Sequence, residues 1–208
     1  MWNEIWQIFI DEGIYLMIEH LQLVGIAVSA AIIIALPAGI LLSRDLMRDY
    51  SGKIIAVFNV AQGLPSLAII ALFLPLLGIG FFPAVTALTI YALLPIVRNT
   101  IAGINNVEDE IIEAARGMGM TPFQVLYKIE LPLALPIIIA GIQTAAVISV
   151  GTAVISNLIG AGGLGQLIFT GLVRFDTQKI LLGSILSAII AIIIDRLFDL
   201  IEKMLQNN

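Results

Sequence analysis

The sequence is poor in charge and contains no cysteine. Of its 208 residues, 12% are charged and 60% are hydrophobic, whereas soluble domains are roughly 45–50% apolar and about 25% charged. The lack of cysteine excludes both a disulfide framework and a thiolate metal site. The formal charge of −5 argues against nucleic acid as a partner. The shortage of charge and the high apolar content favour an integral membrane protein over a soluble domain.

Charged residues are missing from two long stretches of the chain. None occurs between Lys53 and Arg98, and none between Glu130 and Arg174. Each stretch is longer than the roughly 20 apolar residues that span a hydrocarbon core. We therefore expect an all-α integral membrane protein.

Five membrane spans are predicted. Glycine and proline in "GIGFFP", residues 78–83, divide the longest uncharged run into two spans. The glycine-rich stretch 160–172 stays open between a short sixth span and a loop with a half-helix, because irregular backbone at membrane depth must be buried in protein or line a cavity. The predicted spans cover about residues 21–43, 54–77, 83–98, 131–157 and 180–200.

The N-terminal segment, residues 1–18, is predicted to lie in the membrane interface. It carries acidic residues but no lysine or arginine, and Trp2 and Trp6 recur at helical spacing, as in interfacial helices. His20 lies beside Glu19 where the first span begins. A proton relay there is conceivable, but a lone interfacial histidine is more often solvated, and we expect a solvated side chain.

Positive charge predicts the orientation of the transmembrane domain, residues 19–200, because lysine and arginine favour the cytoplasmic side of short loops. With the acidic N-terminus outside, the basic cluster at 44–53 and the segment 98–130 both lie inside. Five spans then place the C-terminal tail, residues 201–208, in the cytoplasm. The segment 157–179, which carries two cations, is the one exception to the rule.

Polar residues interrupt the second predicted span near its middle. The stretch "NVAQGLPS", residues 59–66, contains Asn59, Gln62, Gly63 and Pro65. Amides and freed backbone groups at this depth suit a polar translocation pathway between helices. They equally suit hydrogen bonds that hold neighbouring helices together, and both interpretations stay open.

The chain lacks an energy source of its own. Gly52 and Lys53 do not belong to a phosphate-binding G-x-x-x-x-G-K-[ST] pattern, because residue 47 is methionine and residue 54 is isoleucine. An ion-coupled secondary carrier is the alternative, but such carriers keep ionisable residues within their spans, and these spans have almost none. We expect a transport protein that draws on a partner for energy, without catalytic residues or a bound metal.

The segment 98–130 is predicted to form two short helices joined by a glycine elbow on the cytoplasmic side. The first helix ends at Gly117 and Gly119, since glycine adopts the left-handed conformation that ends helices. Thr121 then caps a second helix, with Pro122 at its first position and Gln124 three residues after the cap.

Within this segment Glu113-Ala114-Ala115 is followed after three residues by Gly119, after nine more by Ile129, and after one more by Leu131-Pro132. This pattern resembles the EAA motif of type I ABC importer permeases. Further stretches, "GLPSLAI", "YALLPIVRNT", "EAARGMGM" and "GTAVISNLIGAGGLG", are similar to the osmoprotectant group of that family, and the resemblance covers about residues 19–200. The motif positions, which the resemblance identifies as the ATPase-coupling residues, are Glu113, Ala114, Ala115, Gly119, Ile129, Leu131 and Pro132.

The resemblance implies a complete transport machine in the bacterial cell membrane. Such permeases have a five-span core with the N-terminus outside, and they pair with a second permease, either identical or a sister chain. Two cytoplasmic ATPase subunits bind ATP and magnesium, while the permease itself binds no cofactor. A separate extracellular binding protein selects glycine betaine, carnitine or choline. The motif helix would dock in a groove on the ATPase, with Gly119 forming the elbow.

Overall fold

The chain is a bundle of α-helices in the computed structural model, which describes residues 2–44 and 47–206. Long apolar runs fold this way because a helix satisfies its backbone hydrogen bonds internally, as the membrane interior demands. Ten α-helices occur in the described residues. The all-helical membrane architecture predicted from composition is therefore confirmed.

The first membrane helix begins far earlier than predicted. α1 (Trp2–Ile8) continues through a π-helical turn (Phe9–Gly13) into α2 (Ile14–Leu42). Two contacts fix this N-terminal extension to the last helix. Lys179 Nζ lies 2.7 Å from Glu12 Oε1, and Gln178 Nε2 donates to Glu4 Oε2 at 2.9 Å. The interfacial position of residues 1–18 stays a prediction, and Met1 lies outside the described residues.

The second predicted span is not one helix. α3 (Arg48–Gly63) and α4 (Ser66–Leu77) are separated at Leu64 and Pro65, because proline has no N–H to continue the hydrogen-bond ladder. With 16 and 12 residues, the two helices are roughly 24 and 18 Å long. The interruption predicted within residues 59–66 is therefore a break between two helices, and the span over residues 54–77 stays a prediction.

Two long helices, α5 (Phe81–Asn105) and α8 (Leu131–Ser156), form the centre of the bundle together with α2. Their backbones approach closely at small residues, as is usual between membrane helices. A Cβ built on Gly141 of α8 would lie 2.5 Å from Asn99 Cβ, and one built on Gly39 of α2 would lie 2.6 Å from Thr100 Cβ. Glycine at these crossings is a packing requirement.

The glycine-rich stretch forms a loop followed by a half-helix. A single 3₁₀ turn (Asn157–Ile159) leads into the loop, and α9 (Gly165–Arg174) follows. With 10 residues, α9 is about 15 Å long, too short to cross a membrane. It packs against α10 (Thr177–Gln206), the last helix.

Four helices in the described part of the chain are long and apolar enough to cross a membrane. Two of them are continuous helices in which a π-helical turn joins two of the α-helices, α1 with α2 and α7 (Pro122–Val125) with α8. α4 is apolar but shorter. The four helices are Asn3–Leu42, Phe81–Asn105, Pro122–Ile159 and Thr177–Leu205.

Candidate functional site

The loop between α5 and α8 begins with a short helix that ends in a well-defined cap. Two acidic residues occupy the first turn of α6 (Asp109–Gly117), where the helix dipole favours negative charge. At its end, Gly119 has φ +82°. Its N–H donates to the Arg116 carbonyl at 2.9 Å, and the Met120 N–H donates to the Ala115 carbonyl at 3.2 Å. This pair of bonds is a Schellman motif, so the elbow predicted at Gly119 is present.

A capping box starts the next helix, α7 (Pro122–Val125). The Gln124 N–H donates to Thr121 Oγ1 at 3.3 Å, and the Thr121 N–H donates to Gln124 Oε1 at 2.8 Å. The predicted cap at Thr121 is therefore confirmed. α7 does not stay a separate short helix, however, because a π-helical turn (Leu126–Glu130) joins it directly to α8. The loop is thus rigidly connected to a membrane helix.

The loop exposes large apolar side chains. Met118 is 72% exposed, Phe123 74% and Tyr127 67%. The rings of Phe123 and Tyr127 are stacked, with centroids 6.4 Å apart. Exposed apolar groups rimmed by polar ones mark surfaces that bind another protein. We refer to Met118, Phe123 and Tyr127 as the loop surface.

The motif residues lie in two places. Glu113, Ala114 and Gly119 are exposed on α6 and at its cap, whereas Ala115 is 1% exposed and faces the inside of the loop. The remaining three lie at the root of the loop, with two partly buried and one exposed; they are Ile129, Leu131 and Pro132. Their part in binding an ATPase stays a prediction.

An ion pair at the root of the loop was missed by the sequence analysis. The two terminal nitrogens of the Arg44 guanidinium, Nη1 and Nη2, donate to the two carboxylate oxygens of Glu130, and the Nη1–Oε1 distance is 3.1 Å. The pair lies in the wall of a cavity of about 520 Å³ that also touches Glu113 and Arg116 of α6. The available signal was a single glutamate between Ile129 and Leu131, directly before the long uncharged stretch that begins at residue 131.

The break between α3 and α4 is held by reciprocal hydrogen bonds to α5. Because Pro95 lacks an N–H, the Tyr91 carbonyl one turn earlier has no helical donor. Gln62 Nε2 donates to this carbonyl at 3.1 Å, and the Tyr91 hydroxyl donates to the Leu64 carbonyl at the break. Gln62 thus makes the kind of contact expected of a residue that joins helices.

The other residues predicted for the pathway make fewer contacts. Asn59 and Gly63 are exposed, and a Cβ built on Gly63 would meet no atom within 4 Å. Pro65 is exposed and immediately precedes α4. Asn59 lies within α3, Gly63 ends that helix and Pro65 lies in the break, and their role in translocation stays a prediction.

His20 is not solvated, contrary to expectation. Its exposed fraction is 0%, because the glycine-rich loop covers it: a Cβ on Gly163 would lie 3.1 Å from His20 Nδ1. The Gly163 N–H donates to Glu19 Oε2 at 3.0 Å. Both ring nitrogens of His20 lack a hydrogen-bond partner, and the nearby backbone of Val150 does not reach hydrogen-bond geometry. The helical periodicity of the first span carried no sign of this cover.

One further polar contact lies between two membrane helices. Gln143 Nε2 of α8 donates to Asp195 Oδ1 at 2.8 Å and to Asp199 Oδ1 at 3.0 Å on α10. Asp199 also pairs with Arg196 at 3.3 Å. Among the described residues, no group of three or more metal-ligating side chains is close enough to hold a metal ion.

Comparison with known proteins connects this architecture to membrane transport. The sequence profile of a family described as "Binding-protein-dependent transport system inner membrane component" matches residues 35–207. The chain is 43% identical over 194 residues to the choline transport system permease protein OpuBB of Bacillus subtilis (strain 168), covering 93% of this chain and 88% of that protein.

Two other relatives have similar names. The chain is 44% identical over 192 residues to the glycine betaine/carnitine/choline transport system permease protein OpuCB of the same bacterium, covering 92% of this chain and 88% of the relative. It is 44% identical over 184 residues to the osmoprotectant import permease protein OsmY of Salmonella typhimurium (strain LT2), covering 88% of this chain and 78% of the relative.

A solved structure has the same fold. A chain of the MetNI methionine ABC transporter in an inward-facing conformation superposes with a TM-score of 0.81 at 26% identity, covering 90% of this chain and 93% of that one. A second MetNI crystal form gives 0.84 at 24% identity, covering 94% and 98%, and at that identity it supports the fold alone.

Proposed function

The chain belongs to the family of binding-protein-dependent transport system inner membrane components, and from this premise we propose that it is the permease subunit of an ATP-driven importer of osmoprotectants. It forms the translocation pathway and is driven by a separate ATPase. Family membership favours this function over an ion-coupled carrier acting alone, because the family works with partner proteins.

The observation that carries the proposal is the construction of the loop between α5 and α8. Its elbow is fixed by the cap at Gly119 and by the capping box at Thr121. Its exposed surface is apolar, and its second helix runs without interruption into α8. A rigid projection of this kind suits a docking surface through which a nucleotide-driven partner moves a membrane helix.

The partners follow from this role. Two cytoplasmic ATPase subunits hold ATP and magnesium and bind the loop surface together with Glu113 and Ala114. A second permease, identical or a sister chain, completes the pathway. Ala115, which is buried, contributes by letting α6 close on the rest of the loop.

The substrate class we propose is that of quaternary amines such as glycine betaine, carnitine and choline. Three relatives at 43–44% identity carry these compounds, or osmoprotectants in general, in their names. Quaternary ammonium groups are held in aromatic cages by cation–π attraction. Aromatic residues make up 7% of this chain and are scattered, which suits a system whose cage is on a separate extracellular binding protein.

We further propose five crossings with the N-terminus outside. α2, α5, α8 and α10 each cross once, and α3 with α4 together make the fifth crossing through the break at Leu64 and Pro65. This arrangement puts the loop surface and the C-terminus in the cytoplasm, as the distribution of lysine and arginine favours. Broken helices at the membrane midplane are typical of translocation pathways.

Replacing Asn59 by leucine tests the pathway assignment. Asn59 is exposed at the break, so its amide is free to line a polar passage. We expect slower uptake with unchanged folding, measured as the initial rate in proteoliposomes. An unchanged rate would make Asn59 a packing residue of the permease pair.

Reconstitution tests the function as a whole. The chain, its ATPase and its binding protein are placed in liposomes, and uptake of betaine, carnitine and choline is measured separately. We expect uptake only when ATP is present on the side of the membrane that carries the ATPase and the loaded binding protein is present on the opposite side. Uptake by the chain alone, driven by a sodium or proton gradient, would establish the carrier alternative instead.

A further inference from the structure

The ion pair between Arg44 and Glu130 joins two parts of the molecule that are far apart in sequence. The two residues are 86 positions apart. Arg44 lies in the turn directly after α2, and Glu130 is the last residue of the π-helical turn that joins the loop to α8. The pair therefore connects the end of the first membrane helix to the root of the candidate coupling loop.

Glu130 is unusually buried for a carboxylate. Its side chain is 5% exposed, whereas that of Arg44 is 36% exposed. A charge taken out of water at this level needs a partner, and a buried ion pair is weak support for stability because a well-packed apolar pair often serves as well. The two-point contact of a guanidinium with a carboxylate instead fixes relative orientation. The contribution of this ion pair is therefore to fix the orientation of Arg44 relative to Glu130.

The elements around the ion pair show how a movement of α6 would reach the membrane helices. α6 packs against α7 and the π-helical turn, and the cavity of about 520 Å³ separates it from the end of α2. Displacement of α6 therefore reaches the bundle by two routes, through its short connection to α5 and through the segment that ends at Glu130. Further along α2 the buried side chains range in size from Ala27 and Ala31 to Leu23. Apolar packing of this kind is non-directional, whereas the two-point ion pair also fixes orientation.

We propose that the Arg44–Glu130 ion pair transmits movement of the coupling loop to the first membrane helix. Arg44 and Glu130 are positioning residues, which act through α2 and contact neither substrate nor nucleotide. The proposal rests on the proposed function, since it assumes that an ATPase moves the loop. Without the ion pair, a conformational change of the ATPase moves α8 but not α2. Part of the ATP hydrolysis then drives no uptake.

The experiment uses the complete transporter in proteoliposomes. The principal variant, R44M/E130L, replaces both charges by apolar side chains of similar size, so that neither charge is left buried and unpaired. A second variant, R44E/E130R, exchanges the charges. Three quantities are measured: thermal unfolding, ATP hydrolysis stimulated by the loaded binding protein, and molecules taken up per ATP.

The control removes another ion pair between distant elements. In K179M/E12L the lost pair is also partly buried, with side chains 13% and 45% exposed, but it joins α10 to the N-terminal extension. A role in stability alone would act on thermal unfolding in both double variants and leave uptake per ATP unchanged.

The expected result is a fall in uptake per ATP of about fivefold or more in R44M/E130L, the lower range of coupling between sites. Thermal unfolding and stimulated hydrolysis stay near the values of the unchanged protein, R44E/E130R recovers part of the loss, and K179M/E12L keeps the native ratio. Native uptake per ATP in R44M/E130L would overturn the proposal while leaving the proposed function intact. Failure of the unchanged protein to show any ATP-dependent uptake would overturn both.

Discussion

Gly117 and Gly119 are close together in the loop between α5 and α8, yet only one of them needs to be glycine. A Cβ at either position would meet no atom within 4 Å, but Gly119 has φ +82° while Gly117 is the last residue of α6. The requirement at Gly119 is therefore conformational. It sets the angle at which α6 meets α7.

Alanine should weaken ATPase binding at position 119 but not at position 117. Gly119→Ala places a side chain in the left-handed region, which costs about 1–2 kcal/mol, so we expect the cap to rearrange and ATPase binding to weaken by about tenfold at 1.4 kcal/mol. Gly117→Ala should leave binding unchanged, because alanine favours the helix. Co-purification with the ATPase measures both, and equal binding by both variants would show that the elbow angle is unimportant.

Gln62 compensates for Pro95 on another helix. The amide of Gln62 bonds the Tyr91 carbonyl that Pro95 leaves without a donor. Gln62→Leu should cost about 0.6–1.7 kcal/mol, the range for polar contacts between membrane helices. In a Pro95→Ala background the restored N–H should make the same change cheaper. Thermal unfolding of the four proteins in detergent gives the comparison, and an equal cost in both backgrounds would contradict this role for Gln62.

At the scale of elements, close packing of α5 on α8 depends on glycine at the crossing. A Cβ on Gly141 would lie 2.5 Å from Asn99 Cβ and 2.9 Å from the Pro95 carbonyl oxygen. Neither contact can be relieved by a rotamer change, because the first involves a Cβ atom and the second a backbone oxygen. Gly151, on the same helix, has open space around it.

The same substitution at these two glycines therefore separates packing from helix propensity. Gly141→Ala should lower the free energy of unfolding by about 1–3 kcal/mol, as overpacking does. Gly151→Ala should be neutral or stabilising by up to about 1 kcal/mol. Thermal unfolding in detergent measures the difference. Similar unfolding temperatures for the two variants would mean that the crossing tolerates a larger separation.

The sequence predicted those features that depend on residues close to one another along the chain. The cap at Gly119, the capping box at Thr121 and the apolar helices depend on residues close in sequence, and the structure contains them. The break at Pro65 was visible as polar interruption, but not as a division into two helices. Burial of His20 and pairing of Arg44 with Glu130 depend on segments more than 80 residues away, so no local pattern predicted them.

At the scale of the whole molecule, the fold connects an exposed loop rigidly to the membrane helices. The loop between α5 and α8 projects from one end of the bundle, is stiffened by two caps, and continues directly into α8. The opposite end is closed by the glycine-rich loop over Glu19 and His20. A partner that grips the loop surface therefore moves helices rather than a flexible connector.

Site-directed cross-linking tests this most directly, and the chain suits it because it contains no cysteine. Met118→Cys introduces a thiol on the loop surface, and Phe175→Cys, at a position 92% exposed, introduces one at the turn between α9 and α10. In intact cells we expect a membrane-impermeant thiol reagent to label position 175 only, and position 118 to cross-link to the ATPase. Labelling of position 118 from outside, or its failure to cross-link to any ATPase, would contradict the coupling role of the loop.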